Sequence, residues 1–247
     1  MERKSFLRTF AVAAAAGPML IEACKKDSTA STADAASSTS NTSTNGSTCL
    51  VSPTEVEGPY PYASGEINNP LNRADVTGGQ TGVPLSIGFV VVNTNNNCNV
   101  VSGARVDIWH CNKDGYYSGY ANQQGALGSK SYIGETWLRG YLLTDTSGLA
   151  KFSTIYPGWY TGRATHIHIE VFINNVLKKT TQMAFPESIS DTVHVSTLYA
   201  THGVNTIRNA SDQIFGNSAT DLANETISLT GSVADGYSGS YTLGLAL

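Results

Sequence analysis

From Cys49 onward, short apolar runs alternate with clusters of Gly, Asn, Asp, Ser and Pro. Leu85 to Val92 is a nearly continuous apolar run of strand length, closed by the turn cluster Asn93-Thr94-Asn95-Asn96-Asn97. Ala104 to Trp109 alternates, which puts Ala104, Val106 and Ile108 on one face of a strand. Asp145-Thr146-Ser147-Gly148 reads as a turn before a strand from Leu149 to Ile155. His166 to Ile173 predicts another strand, and Asn174-Asn175 a two-residue hairpin into Val176 to Met183. Ile227 to Val233 and Tyr241 to Leu245 read as closing strands, and a short helix is expected within Ser188 to Gly203. No long segment has a 3.6-residue period. The pattern predicts an all-β fold: an Ig-like or transthyretin-like β-sandwich with long loops and little helix.

The N-terminus has a different character. Arg3, Lys4 and Arg8 precede an apolar stretch from Phe10 to Ala16, and Ile21-Glu22-Ala23-Cys24 follows. A charged start, a short apolar core and a small residue before Cys describe an export signal over residues 1–24. Arg3-Lys4-Ser5-Phe6-Leu7-Arg8 resembles a twin-arginine signal, with Lys replacing one Arg. Cleavage before Cys24 would leave that residue for lipidation. Residues 25–48 are about half Ser and Thr, too polar to offset their ordering entropy, and are expected to form a flexible tether. The expected folded domain is residues 49–247. The chain is thus expected to be exported and tethered to a membrane only through a lipid, facing the periplasm or cell exterior.

Composition narrows the function. Hydrophobic residues make up 40% of the 247, enough for a core, and charged residues only 14%. The net charge of −4 argues against a nucleic-acid partner, which needs a basic stripe to neutralise phosphates. With Cys24 lipidated, three cysteines remain for an oxidising compartment. Cys98 and Cys111 flank one strand and lie too far apart to bridge each other. Cys49 is therefore expected to pair with one of them, with Cys111 favoured.

The chemistry concentrates between Trp109 and His168. In His166-Ile167-His168, strand alternation turns both imidazoles to one side, where they can hold one metal ion. Tyr160, in Tyr156-Pro157-Gly158-Trp159-Tyr160, can be swung over the same site by the Pro-Gly turn. Gly115-Tyr116-Tyr117-Ser118 follows the strand ending at Trp109. A phenol with a pKa near 10 is a poor ligand for a divalent metal, but Fe³⁺ can stabilise the phenolate. Two phenolates and a hydroxide balance its charge. His110 reads as a supporting residue, His194 and His202 as exposed, and Asp107 and Glu170 as solvated or hydrogen-bonded strand positions.

These segments, with Glu57-Gly58-Pro59-Tyr60, Arg163-Ala164-Thr165 and Thr181-Gln182-Met183, resemble the intradiol ring-cleavage dioxygenases, the catechol 1,2- and protocatechuate 3,4-dioxygenases. The short link from Tyr160 to His166 and the export signal look most like their secreted, single-chain branch. The resemblance implies one non-haem Fe³⁺ per chain, held by Tyr117, Tyr160, His166 and His168. Tyr117 rather than Tyr116 fits the family's spacing from Gly115. It implies that Tyr160 is the tyrosinate that yields its place and takes a proton as substrate binds. Arg163 would stabilise negative charge on the ring, and Gln182 would be the pocket glutamine. Tyr60 and Trp159 would line the substrate site. The implied reaction takes a small aromatic diol and O₂ and cleaves the ring between its hydroxyls, giving a cis,cis-muconate-type diacid. Ala164-Thr165 and Ala184 depart from common family residues and are expected not to touch a ligand. Two other readings remain: a non-catalytic sandwich binding phenolic or carbohydrate ligands at the cell surface, and a divalent-metal hydrolase using the two His. The oligomeric state is open.

Overall fold

A computed structural model of the protein describes residues 50–247. The export signal, Cys24, the tether and Cys49 lie outside the described residues. The strands are β1 (Pro84–Asn93), β2 (Asn99–Val100), β3 (Arg105–Trp109), β4 (Gln123–Gly125), β5 (Gly128–Lys130), β6 (Arg139–Leu143), β7 (Leu149–Ile155), β8 (His166–Ile173), β9 (Val176–Ala184), β10 (Ser228–Ser232) and β11 (Gly236–Leu245). The helices are α1 (Glu187–His194) and α2 (Ala219–Glu225).

One sheet runs β10-β11-β1-β2, with β7 also paired to β1, and the other runs β6-β3-β8-β9. The inward faces meet in a single core. Ile87, Phe89 and Val91 of β1 and Tyr241 and Leu243 of β11 pack with Val106 and Ile108 of β3 and Ile167, Ile169 and Val171 of β8. Each such side chain contributes about 1.5 to 3 kcal/mol by leaving water. The fold is the all-β sandwich that the alternation predicts.

The hairpin after β8 turns through Asn174 and Asn175 at φ 50° and 64°, the left-handed pair of a type I′ turn. Several elements differ from the expectation: β2, β4, β5, β6 and α2 were not expected, and β11 starts earlier. The final strand begins at Gly236, since β11 pairs in parallel with β1 from Leu85↔Tyr237 onward through Ser- and Gly-rich residues with little apolar signal. Strand β6, short and interrupted by Gly140, is held by β3 rather than by its own pattern. Helix α1 covers the first part of the expected helical region, and α2, capped by the Ser218 side chain, was not legible in the sequence.

The preference for Cys111 as the bridged cysteine is corrected. Cys98 is disulfide-bonded, whereas Cys111 is free and buried. The reason is position: the Cys111 side chain packs inward with Trp109 and Tyr117, while Cys98 sits at the surface turn between β1 and β2.

Candidate metal centre

Strand β8 gives Ile167 to the core, so His166 and His168 face the opposite side of the sheet, under the long loops. The register Trp109↔His168↔Gln182 places these three in one row across β3, β8 and β9. Trp109 stacks flat against His168, with centroids 5.0 Å apart and planes at 6°. The His166 Nδ1 lies 2.6 Å from the Ala164 carbonyl oxygen, which can only accept, so that nitrogen carries the proton. In the neutral ring, Nε2 is then left with a bare lone pair. It faces His168 Nε2 at 3.1 Å, and His168 Nε2 lies 3.1 Å from Tyr117 Oη.

The loop after β3 delivers Tyr117. Asn112 folds it, accepting from the Asp114 and Tyr116 backbones with its side chain, and the Asn112 carbonyl also receives Gly158 N–H. The two tyrosine-bearing loops therefore lie backbone against backbone. A Cβ on Gly115 would fall 2.1 Å from the Trp159 carbonyl oxygen, and one on Gly158 would fall 2.4 Å from that of Lys113. This contact brings Tyr160 to the cluster: its ring meets Tyr117 at 5.8 Å and His166 at 5.4 Å, both edge-on. Tyr60 stacks on Tyr117 at 4.6 Å.

A polar chain runs beside the rings. Arg163 Nη1 approaches Tyr160 Oη at 3.4 Å and Nη2 donates to Gln182 Oε1 at 2.7 Å. Gln182 in turn donates to the Val56 carbonyl. Arg163 Nε pairs with Asp212 Oδ2 at 2.9 Å, and the same oxygen accepts Ala164 N–H.

Burial sets the electrostatics. It lowers His166 to about 3, and it holds His168, beside His166 and Arg163, well below the ordinary imidazole range. Both are neutral donors at physiological pH. Burial also raises the Tyr117 phenol well above its usual value and pushes Tyr160 up to about 12 despite the nearby Arg163. Burial opposes the charge on Arg163, but its bond to Asp212 and the neighbouring phenols outweigh that and raise its pKa.

The donor set fits a hard trivalent cation. Two neutral imidazole nitrogens and one phenol oxygen crowd within 3.1 Å contacts, and two phenols can ionise only beside strong positive charge. Among the described residues no three His, Cys, Asp or Glu side chains form a metal cluster.

A family model described as dioxygenase matches residues 56–224, a span that contains all of these side chains. The chain belongs to the intradiol ring-cleavage dioxygenase family. The catechol 1,2-dioxygenase 1 of Acinetobacter lwoffii is 27% identical over 148 residues, 53% of this chain and 45% of that relative. The chain thus spans less than half the length of this curated family member. An intradiol ring-cleavage dioxygenase from Tetranychus urticae superposes with a TM-score of 0.68 at 27% identity, covering 80% of this chain and 95% of its own. The dioxygenase domain of a carbohydrate-binding fusion protein from Streptomyces sp. SirexAA-E superposes at 0.57 with 22% identity, over 80% of this chain and 99% of its own, a likeness of fold.

The structure brings Tyr117, Tyr160, His166, His168, Arg163, Gln182 and Tyr60 together. It does not bring the Trp159 indole to the two tyrosines and two histidines: that ring stacks on His202 at 4.0 Å and donates to Gly203 O. The Ala164 backbone carbonyl fixes the His166 tautomer. His194, expected to be exposed, is buried on α1 against Tyr156 and Tyr199, and His202 is half-buried under Trp159. His110 lies buried between Cys111 O and Thr154 Oγ1. Asp107 and Glu170 are buried and bonded to Arg105 and Thr180. Sequence reasoning missed Asp212, Asn112 and Gln123, polar residues in loops or at a strand end, which no local motif separates from ordinary turn formers.

Proposed function

We propose that this protein is a non-haem Fe³⁺ intradiol dioxygenase with one iron per chain. It would cleave a catechol-type ring between its two hydroxyls with O₂ to give a cis,cis-muconate-type diacid. The observation that carries this reading is the gathering of two neutral imidazoles and two phenol rings in one cluster, within a family of that chemistry. Bound there, iron would supply the Lewis acidity that readies a catecholate ring for O₂.

The chain's own residues supply the rest. Tyr160, half-buried while Tyr117 is fully buried, is the phenol nearer the open side. As a phenolate, its Oη can take a proton from an incoming hydroxyl, and Arg163 Nη1 at 3.4 Å steadies charge at that point. Gln182 and Asp212 hold the guanidinium in its plane from two sides. Trp109 and Tyr60 wall the site with rings. Export and anchoring through Cys24 rest on the N-terminal sequence alone.

The test is a visible absorption spectrum of the purified protein, with iron quantified on the same sample. About one iron per chain and a broad burgundy phenolate band that shifts on adding catechol are expected. A preparation that stays colourless after iron loading would sink the proposal and favour a non-catalytic binding module.

A further inference from the structure

We propose that Gln123 is a positioning residue that aims the Tyr117 phenol, and that the small β4–β5 hairpin exists to hold Gln123 in place. The inference rests on the iron reading above. Tyr117 lies in a loop, and among the described residues no strand pairs with its backbone groups. The Gln123 side chain takes the part of that missing strand. Its Oε1 accepts Tyr117 N–H at 2.7 Å, and its Nε2 donates to Tyr117 O at 2.8 Å and to Tyr120 O at 3.2 Å. One amide therefore holds both peptide groups flanking the Tyr117 Cα, which fixes the direction of the Cα–Cβ bond. Gln123 is 4% exposed, so these bonds do not compete with water.

The hairpin is anchored through the neighbouring tyrosine. Tyr116 Oη donates to Gly128 O at 2.7 Å. A Cβ on Gly125 would come within 2.9 Å of the Tyr116 ring. The adjacent tyrosines thus divide the work: Tyr116 points to the hairpin and Tyr117 to the histidines, where its Oη reaches His168 Nε2. An amide suits position 123 because it offers an acceptor and two donors without charge. A carboxylate keeps the acceptor and sets its negative charge against two carbonyls.

The experiment compares Q123E and Q123L with the wild-type full-length chain. It reads Fe³⁺ retention against a competing chelator, the position and intensity of the visible band, and kcat apart from KM. Partners that orient a metal ligand typically carry 10- to 100-fold in metal affinity. Q123L is expected to lose iron about 10-fold or more readily, with a weakened and shifted band, and Q123E to fall between. In the metal-free protein, exchange of the Tyr117 amide proton should quicken at least about 10-fold in Q123L. If Q123L does not fold, Q123E carries the comparison. Iron retention and band unchanged in the folded variants would overturn the role of Gln123 and leave the iron reading standing. A wild-type protein that takes up no iron would overturn both.

Discussion

Arg163 and Asp212 lie 49 residues apart in the chain and meet at 2.9 Å, both buried. Asp212 also accepts from the Ala164 backbone, whose carbonyl in turn receives the His166 ring proton. One carboxylate thus orients both the guanidinium beside Tyr160 and, through one residue, a histidine of the cluster. Asp212→Asn keeps the shape and removes the charge. It should lower kcat/KM for catechol by about 10- to 100-fold, since breaking a buried charge pair costs a few kcal/mol. Most of the iron should be retained. Wild-type kinetics would show that Asp212 does not position Arg163.

The two kinds of ring in the proposed iron site should separate under substitution. His168→Ala removes the nitrogen that contacts both His166 and Tyr117 and should empty the site. Tyr160→Phe should retain iron better than it retains turnover, because in the proposed function the lost oxygen is also the proton acceptor. Iron analysis beside single-turnover kinetics checks both. Full iron content in His168→Ala would refute its assignment, and equal losses of iron and turnover in Tyr160→Phe would remove the proton role.

Gly115 sits at φ +86°, with the Trp159 carbonyl where a Cβ would go. Gly115→Ala should cost roughly 2 to 3 kcal/mol or more, from backbone strain plus the forced separation of the loops. Gly103→Ala, at φ +73° with nothing within 4 Å, should show the strain alone. The comparison needs thermal unfolding and iron content for both. Equal Tm losses with iron intact would mean that the loop contact does not hold the tyrosines together.

Burial holds His110 and His194 each at about 4. The unfolded chain takes up these protons near pH 6.5. Between about pH 6.5 and 4 the unfolded state binds more protons, so stability falls as pH drops. The fall levels off below about 4, once the folded state is protonated too. Because Glu225 titrates in the opposite sense in both proteins, the readout is a difference: between pH 7 and 4, His194→Gln should lose less of its denaturant midpoint than the wild type. An equal pH dependence in the variant and the wild type would contradict the neutral buried state of His194.

Glu225 behaves in the opposite sense. Burial, with Glu55 and Asp221 close by, raises its carboxyl to about 8. Its protonated form is the one that suits the folded state, so stability is full below about pH 4.5 and is lost as pH rises through 8. Glu225→Gln mimics the protonated form. It should match the wild type at pH 5 and exceed it in Tm at pH 9. An equal Tm difference at the two pH values would show that Glu225 does not titrate in this way.

Periodicity alone determined the sandwich and the sidedness of His166 and His168. Alternation is a local property: once Ile167 enters the core, its neighbours must face the other way. The Asn-Asn hairpin was equally local, because those residues tolerate left-handed backbone. Tertiary structure alone decided what lay far apart in sequence. That Tyr117 meets His168 across 51 residues, that Asp212 finds Arg163, and that Cys98 rather than Cys111 carries a disulfide depend on how the loops pack over the sheet. The parallel pairing of β11 with β1 is of the same kind. Its Gly- and Ser-rich half is a strand only because a partner supplies the hydrogen bonds, and no local pattern records that partner.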